Sequence, residues 1–104
     1  MNIEYLGQSG LKIDHKNLSI LIDPYLSNSV QELDSKDLVR QVPIAYKPEA
    51  LKNINWILIT HEHIDHCDPY TIPKLASLNP EVNFLGPLKV RKKLRAPFGG
   101  IIIN

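Results

Sequence analysis

A mixed α/β domain, with a sheet covered by helices, is the fold class this sequence predicts. Three observations carry it. Short β-favouring runs separated only by turns fill the stretch from Ile3 to Ile22. The segment Trp56 to Thr60 is apolar and β-favouring throughout, as a central strand covered on both faces would be. From there on the patterns alternate as strand, helix, strand, helix.

Taken in order, Ile3 to Leu6 and Leu11 to Ile13 read as strands around the turn Gly7-Gln8-Ser9-Gly10, which is rich in residues tolerant of positive φ. A polar turn over His15 to Asn17 leads into a third strand, Ser19 to Ile22, which stops at Asp23-Pro24. Together these form a meander, read as antiparallel. Ser27 to Ala50 is polar, aperiodic and interrupted by Pro43 and Pro48, so it reads as a long loop with a helical turn around Ser35 to Val39. Pro48-Glu49-Ala50-Leu51 resembles a short helical start. After the Trp56 strand, a helix is expected from about Asp68–Thr71 to Ser77, burying Ile72, Leu75 and Leu78. Pro73 fits its first turn if Thr71 is the N-cap. Val82 to Leu85 is a further strand. Gly86-Pro87 opens a basic amphipathic helix to about Arg95, with Leu88, Arg91 and Leu94 spaced along it. Ala96 to Gly100 reads as a break and Ile101 to Ile103 as the start of another strand.

A chain of 104 residues suits one small domain or part of a larger one. Twelve Lys+Arg against eleven Asp+Glu leave a net charge of +1, which argues against a general nucleic-acid binder. A hydrophobic content of 43% is too high for a disordered chain. The single cysteine, Cys67, rules out an intrachain disulfide framework and fits a reducing compartment. The N-terminus does not read as a signal peptide and no apolar run is long enough for a membrane span, so a cytoplasmic protein without membrane association is expected.

The apolar run Ile57-Leu58-Ile59-Thr60 ends abruptly in His61-Glu62-His63-Ile64-Asp65-His66. Imidazole and carboxylate are ligands that zinc and similar divalent ions prefer, and a buried strand has no structural need for them at its end. Any one of these histidines alone would read as a solvated loop residue. Three of the chain's four histidines within six residues, with an aspartate among them, do not. His61 and His63 are two apart and project to one side of an extended segment. Asp65 and His66 are adjacent and converge only where the backbone turns. The geometry suggests two neighbouring metal positions, one served by His61 and His63 and the other by Asp65 and His66. Two close ions can hold a bridging hydroxide and stabilise charge developing on a substrate oxygen. Strand ends in α/β sheets are where ligands collect.

The string His61-Glu62-His63-Ile64-Asp65-His66 resembles the His-x-His-x-Asp-His motif of the metallo-β-lactamase fold superfamily. Ile22-Asp23-Pro24, the long loop and the Trp56-Ile57-Leu58-Ile59-Thr60 strand follow in that family's order. The opening Tyr5-Leu6-Gly7-Gln8-Ser9-Gly10 and the continuation Cys67-Asp68-Pro69-Tyr70-Thr71-Ile72-Pro73-Lys74-Leu75 look like the branch that includes ascorbate-6-phosphate lactonase-like proteins and related metal-dependent hydrolases. The resemblance implies an αβ/βα sandwich with two divalent ions, usually zinc, with manganese or iron in some members. It also implies hydrolysis of an ester, lactone, amide or phosphodiester in a small-molecule substrate. By the same resemblance His61 and His63 hold the first ion, Asp65 and His66 the second, and Asp65 orients or deprotonates the attacking water.

The sequence also departs from that family. Complete members are longer and supply a further histidine, a bridging acid and a last histidine downstream of the motif. From Pro69 to Asn104 there is no histidine, no aspartate and only Glu81. Residues 1–104 therefore read as a partial domain, the N-terminal half of the sandwich. Two ligands per ion are fewer than the three typical of catalytic zinc, so weak metal binding and little or no hydrolysis by this chain alone are expected. Two other readings stand beside the hydrolase: a non-catalytic half-fold that self-associates or docks onto a partner through its exposed face, and a metal-binding sensor without turnover.

Other residues carry weaker signals. Asp23 is either an outer partner of the metal ligands or a turn-forming residue before Pro24. Asp68 is expected to accept a backbone hydrogen bond at the helix start. Glu62 is given no catalytic role, His15 reads as a surface residue and Cys67 as a buried free thiol. Lys89, Arg91, Lys92, Lys93 and Arg95 read as a solvated helix face. The loop from Ser27 to Ala50 is a candidate cover for the site, with Arg40 or Tyr46 reaching substrate.

Overall fold

The structure, a computed structural model, describes residues 1–95. Five strands form one sheet in sequence order: β1 (Asn2–Gly7), β2 (Gly10–His15), β3 (Leu18–Ile22), β4 (Trp56–Leu58) and β5 (Asn83–Leu85). The first three form the expected antiparallel meander. β3, β4 and β5 run parallel. A parallel neighbour needs a crossover. Residues 23–55 supply it between β3 and β4, and helix α2 (Ile72–Leu78) supplies it between β4 and β5. Helix α3 (Leu88–Arg95) follows β5. The break expected over residues 96–100 and the strand expected over residues 101–103 lie outside the described residues.

Pairing register sorts the side chains into two faces. Leu21, Ile57 and Phe84 align across three strands, and all are buried. With Leu6, Leu51, Ile54, Ile72, Leu75, Val90 and Leu94 they make one core under the helices. The α3 stripe is thus Val90 and Leu94, four apart, and not the expected spacing through Leu88, which is exposed. The opposite face is also apolar. Ile3, Ile13, Ile20 and Trp56 form one row across it, and Tyr5, Leu11, Ile22, Leu58 and Leu85 form the next. None of these side chains is buried, and Ile3, Tyr5 and Leu85 are more than half exposed. The expectation that Trp56 to Thr60 is covered on both faces therefore fails for the described residues. Ile57 and Ile59 are buried, while Trp56 and Leu58 are half-buried. The ladder ends at Leu58, although the Ile59 amide still donates to the Leu85 carbonyl at 2.9 Å.

The long loop has its helix, α1, at Ser29–Leu33 instead of Ser35 to Val39. The reason is tertiary. The Ser29 hydroxyl donates to Asp68 at 2.7 Å and the Val30 amide to the Tyr25 hydroxyl at 3.1 Å, partners that local propensity does not reveal. A 3-10 turn at Pro48–Ala50 matches the short helical start. Thr71 does occupy the N-cap position of α2, but its side chain makes no capping bond. The hydroxyl donates to the Asp68 carboxylate instead and accepts the Leu26 amide at 3.1 Å.

Candidate metal centre

Strand β4 delivers Thr60 and His61 to the carboxyl end of the parallel strands, and the chain then turns on itself. The His66 and Cys67 amides both donate to the His63 carbonyl, at 2.9 and 2.7 Å. Cys67 is fully buried in the core and anchors this turn from below. Burial pushes its thiol up to about 11, so it is an inert packing group and not a metal ligand. Above it, Lys93 of α3 donates to the Glu62 carbonyl at 2.5 Å. That cation is a brace for the motif, whereas Lys89, Arg91 and Lys92 are solvated as expected.

Asp68 is wholly buried and ties three segments together. It accepts the Ser27 hydroxyl at 2.6 Å, the Ser29 hydroxyl at 2.7 Å, the Tyr70 amide at 2.9 Å and the Thr71 hydroxyl. The Tyr70 bond is the expected backbone contact at the helix start. Two further loop residues, Arg40 and Tyr46, also make structural bonds. Arg40 donates to the Tyr25 carbonyl at 2.5 Å and to the Val42 carbonyl at 2.9 Å, and its guanidinium lies 4.8 Å from the Tyr25 ring centroid. The Tyr46 hydroxyl donates to Glu4 at 2.5 Å, which raises the phenol above its usual range. Neither residue lines the cleft that His63 and Asp65 border.

Asp23 closes β3 with a left-handed backbone, φ 45°, a conformation that costs a non-glycine residue about 1 kcal/mol. Its amide donates to the Leu58 carbonyl at 2.9 Å, which seats it beside the end of β4. The residue is 3% exposed, and both carboxylate oxygens are used. Oδ1 accepts the Thr60 amide at 2.7 Å. Oδ2 accepts the Thr60 hydroxyl at 2.6 Å and lies 2.8 Å from His66 Nδ1. Asp23 thus both ends its strand with a turn and makes the contact to His66 that an outer partner would make. Thr60, which the sequence reading passed over, also contacts His61 Nδ1 at 2.8 Å. Its only sequence signal is a hydroxyl residue directly before the first histidine.

The four candidate ligands are placed unevenly. The His61 and His66 rings lie 4.7 Å apart, centroid to centroid, and Asp65 Oδ2 is 3.6 Å from His66 Nε2. His63 is set further out, 6.2 Å from the His61 ring, with a side chain 72% exposed. Ligand-type atoms of Asp23, His61 and His66 lie within 4.8 Å of one another. With Nδ1 of both His61 and His66 taken by oxygen partners, each Nε2 remains the nitrogen able to meet an ion. Imidazole nitrogens beside a carboxylate are the donor set of a zinc-like divalent ion, so these residues fit one. His63 and Asp65 also line a cleft of about 530 Å³, walled by Gln8, Tyr25, Val30 and Leu38. Among the described residues, no helix is long and apolar enough to cross a membrane.

Residues 19–103 match the profile of the beta-lactamase superfamily domain. A UPF0173 metal-dependent hydrolase from Aeropyrum pernix is 31% identical over 88 residues, 85% of this chain and 30% of that protein. N-acyl-phosphatidylethanolamine-hydrolyzing phospholipase D 1 from Caenorhabditis elegans is 23% identical over 91 residues, 88% of this chain and 26% of that protein. The crystal structure of a candidate metal-dependent hydrolase from Parabacteroides distasonis superposes with a TM-score of 0.61 at 20% identity, covering 98% of this chain and 36% of that one. The chain thus spans about a third or less of the length of the curated relatives it matches, and shares its mixed sheet with the solved structure.

Proposed function

The chain belongs to the metallo-β-lactamase superfamily of metal-dependent hydrolases, and from that premise we propose that it carries part of a binuclear hydrolytic site. His61 and His63 serve one ion and Asp65 and His66 the other, and the remaining ligands come from outside these residues. The observation that supports this best is the convergence of His61, His66 and Asp65 at the end of β4, with Asp23 holding His66 by Nδ1. Zinc, or manganese or iron in its place, would lower the pKa of bound water and stabilise negative charge growing on a substrate oxygen.

The chain's own residues supply position and proton handling. Asp65 has a half-exposed side chain beside His66 and lines the cleft, so it can orient a water and take its proton. The cleft beside it accepts a small ester, lactone, amide or phosphodiester. His63 must swing toward His61 to complete the first pair, which its exposure permits.

Calorimetric titration of the chain with zinc tests the reading. Weak saturable binding is expected, with heat lost on His61→Ala and His66→Ala, and little hydrolysis of model esters. Binding that is indifferent to His61, His63, Asp65 and His66 would overturn the assignment. Tight two-ion binding with esterase turnover would overturn its incompleteness. The apolar sheet face that no described residue buries favours a second reading, in which the chain self-associates or docks onto a partner through that face.

A further inference from the structure

We propose that Thr60 is a positioning residue, a hydroxyl relay through which the buried carboxylate of Asp23 sets the tautomer of an imidazole in each metal pair. The pairing itself rests on the function proposed above, whereas the relay rests on hydrogen-bond geometry alone.

Donor and acceptor counting gives the direction of every proton. A carboxylate only accepts. The Thr60 hydroxyl stands 2.6 Å from Asp23 Oδ2, so its hydrogen points there. Turning that hydrogen toward His61 would press two oxygen lone pairs together at the same distance. The Thr60 oxygen then offers only a lone pair to His61 Nδ1 at 2.8 Å, and that nitrogen must carry the imidazole hydrogen. His66 Nδ1, 2.8 Å from the same Oδ2, must carry its own. The Thr60 oxygen is 3.5 Å from His66 Nδ1, so the carboxylate is the nearer partner of that ring. Both Nε2 atoms are left with lone pairs, the state in which a neutral imidazole binds a metal.

The hydroxyl is not needed to hold the strand end. The Thr60 amide already donates to Asp23 Oδ1 at 2.7 Å, and the side chain belongs to an exposed residue with no burial to satisfy. What it adds is reach. His61 makes its Nδ1 contact with Thr60, and the hydroxyl extends Asp23's influence from the second pair to the first. Asp23 therefore couples the two positions, and Thr60 acts on one of them.

Long-range proton–nitrogen NMR of the metal-free chain reads the tautomers directly, in mildly alkaline buffer where an ordinary imidazole is neutral. Both His61 and His66 are expected to carry hydrogen on Nδ1. Thr60→Val should release His61 to the other tautomer and leave His66 unchanged, Thr60→Ser should restore it, and Asp23→Asn should disturb both. In zinc titrations, Thr60→Val should weaken one of two binding events by roughly 10-fold or more, and Asp23→Asn both. A wild-type His61 with hydrogen on Nε2, or a His61 tautomer unmoved by Thr60→Val, overturns the relay. Tautomers that follow Thr60 in a chain that binds no zinc would uphold the relay and remove the two-ion reading.

Discussion

Asp68 and Cys67 sit side by side beneath the histidines, and burial acts on them in opposite ways. The Asp68 carboxylate is out of contact with water, yet three hydroxyls and an amide replace its hydration. A buried charge is tolerable only with such partners. Asp68→Ala should cost roughly 3 kcal/mol in urea unfolding, because it strands the Ser27, Ser29 and Thr71 hydroxyls. Asp68→Asn, which retains one acceptor oxygen, should cost less, and equal losses would show that the hydroxyl network contributes little. The Cys67 thiol has no such network, and its acidity falls to a pKa of about 11 from 9.0. The folded state therefore holds this proton more tightly than the unfolded state. The resulting stabilisation is complete below about pH 9 and is lost as the pH rises through about 11. At neutral pH native Cys67 should resist thiol reagents and react fully only after unfolding; rapid labelling of the native chain would contradict its burial.

At the scale of elements, the site depends on three contacts that hold β4, α3 and the long loop in place. Gly86 lets α3 start against the sheet. A Cβ there would lie 2.8 Å from the Ile59 carbonyl, whose residue is fixed by its own bond to Leu85. Gly86→Ala should lower stability by about 1–3 kcal/mol by thermal unfolding, as overpacking against backbone does. Lys93 braces the motif from α3 through the Glu62 carbonyl. Arg40 clamps the loop by three carbonyls, of Tyr25, Ser27 and Val42, and by the Tyr25 ring. Arg40→Ala should leave the sheet intact while residues 27–42 become the first site of limited proteolysis. Lysine should not rescue it, since an ammonium lacks the planar fork. Unchanged cleavage would mean the loop is held mainly by Asp68.

For the whole molecule the decisive asymmetry is between the two faces of the sheet. Among the described residues, one is packed under α2 and α3, and the other presents Ile3, Tyr5, Ile20, Ile22, Trp56, Leu58 and Leu85 with none of them buried. An exposed apolar patch of that kind is where the proposed association would take place. Sedimentation velocity of the chain should show concentration-dependent association, reduced by Leu58→Lys at the centre of the face. A monomer at every concentration would remove the docking reading without touching the metal site. Zinc should raise the melting temperature in proportion to its weak binding.

Order and chemistry were legible in the chain itself. β-favouring runs and turn residues located all five described strands, because strand propensity is local, although β4 ends at Leu58, short of the expected Thr60. The histidine cluster at a strand end announced the metal chemistry, because no packing need explains it. Three things required the folded molecule. Helix α1 forms where Ser29 finds Asp68, 39 residues away in sequence. Asp23 turned out to orient His66, and Thr60 to touch His61, because β3 and β4 are parallel neighbours with matched ends. Which apolar residues lie on the open sheet face emerged only from register, which decides which residue of each strand meets the helices and which does not. Local pattern sets what each segment can be, whereas contacts between distant segments, which depend on long-range register, set what its side chains do.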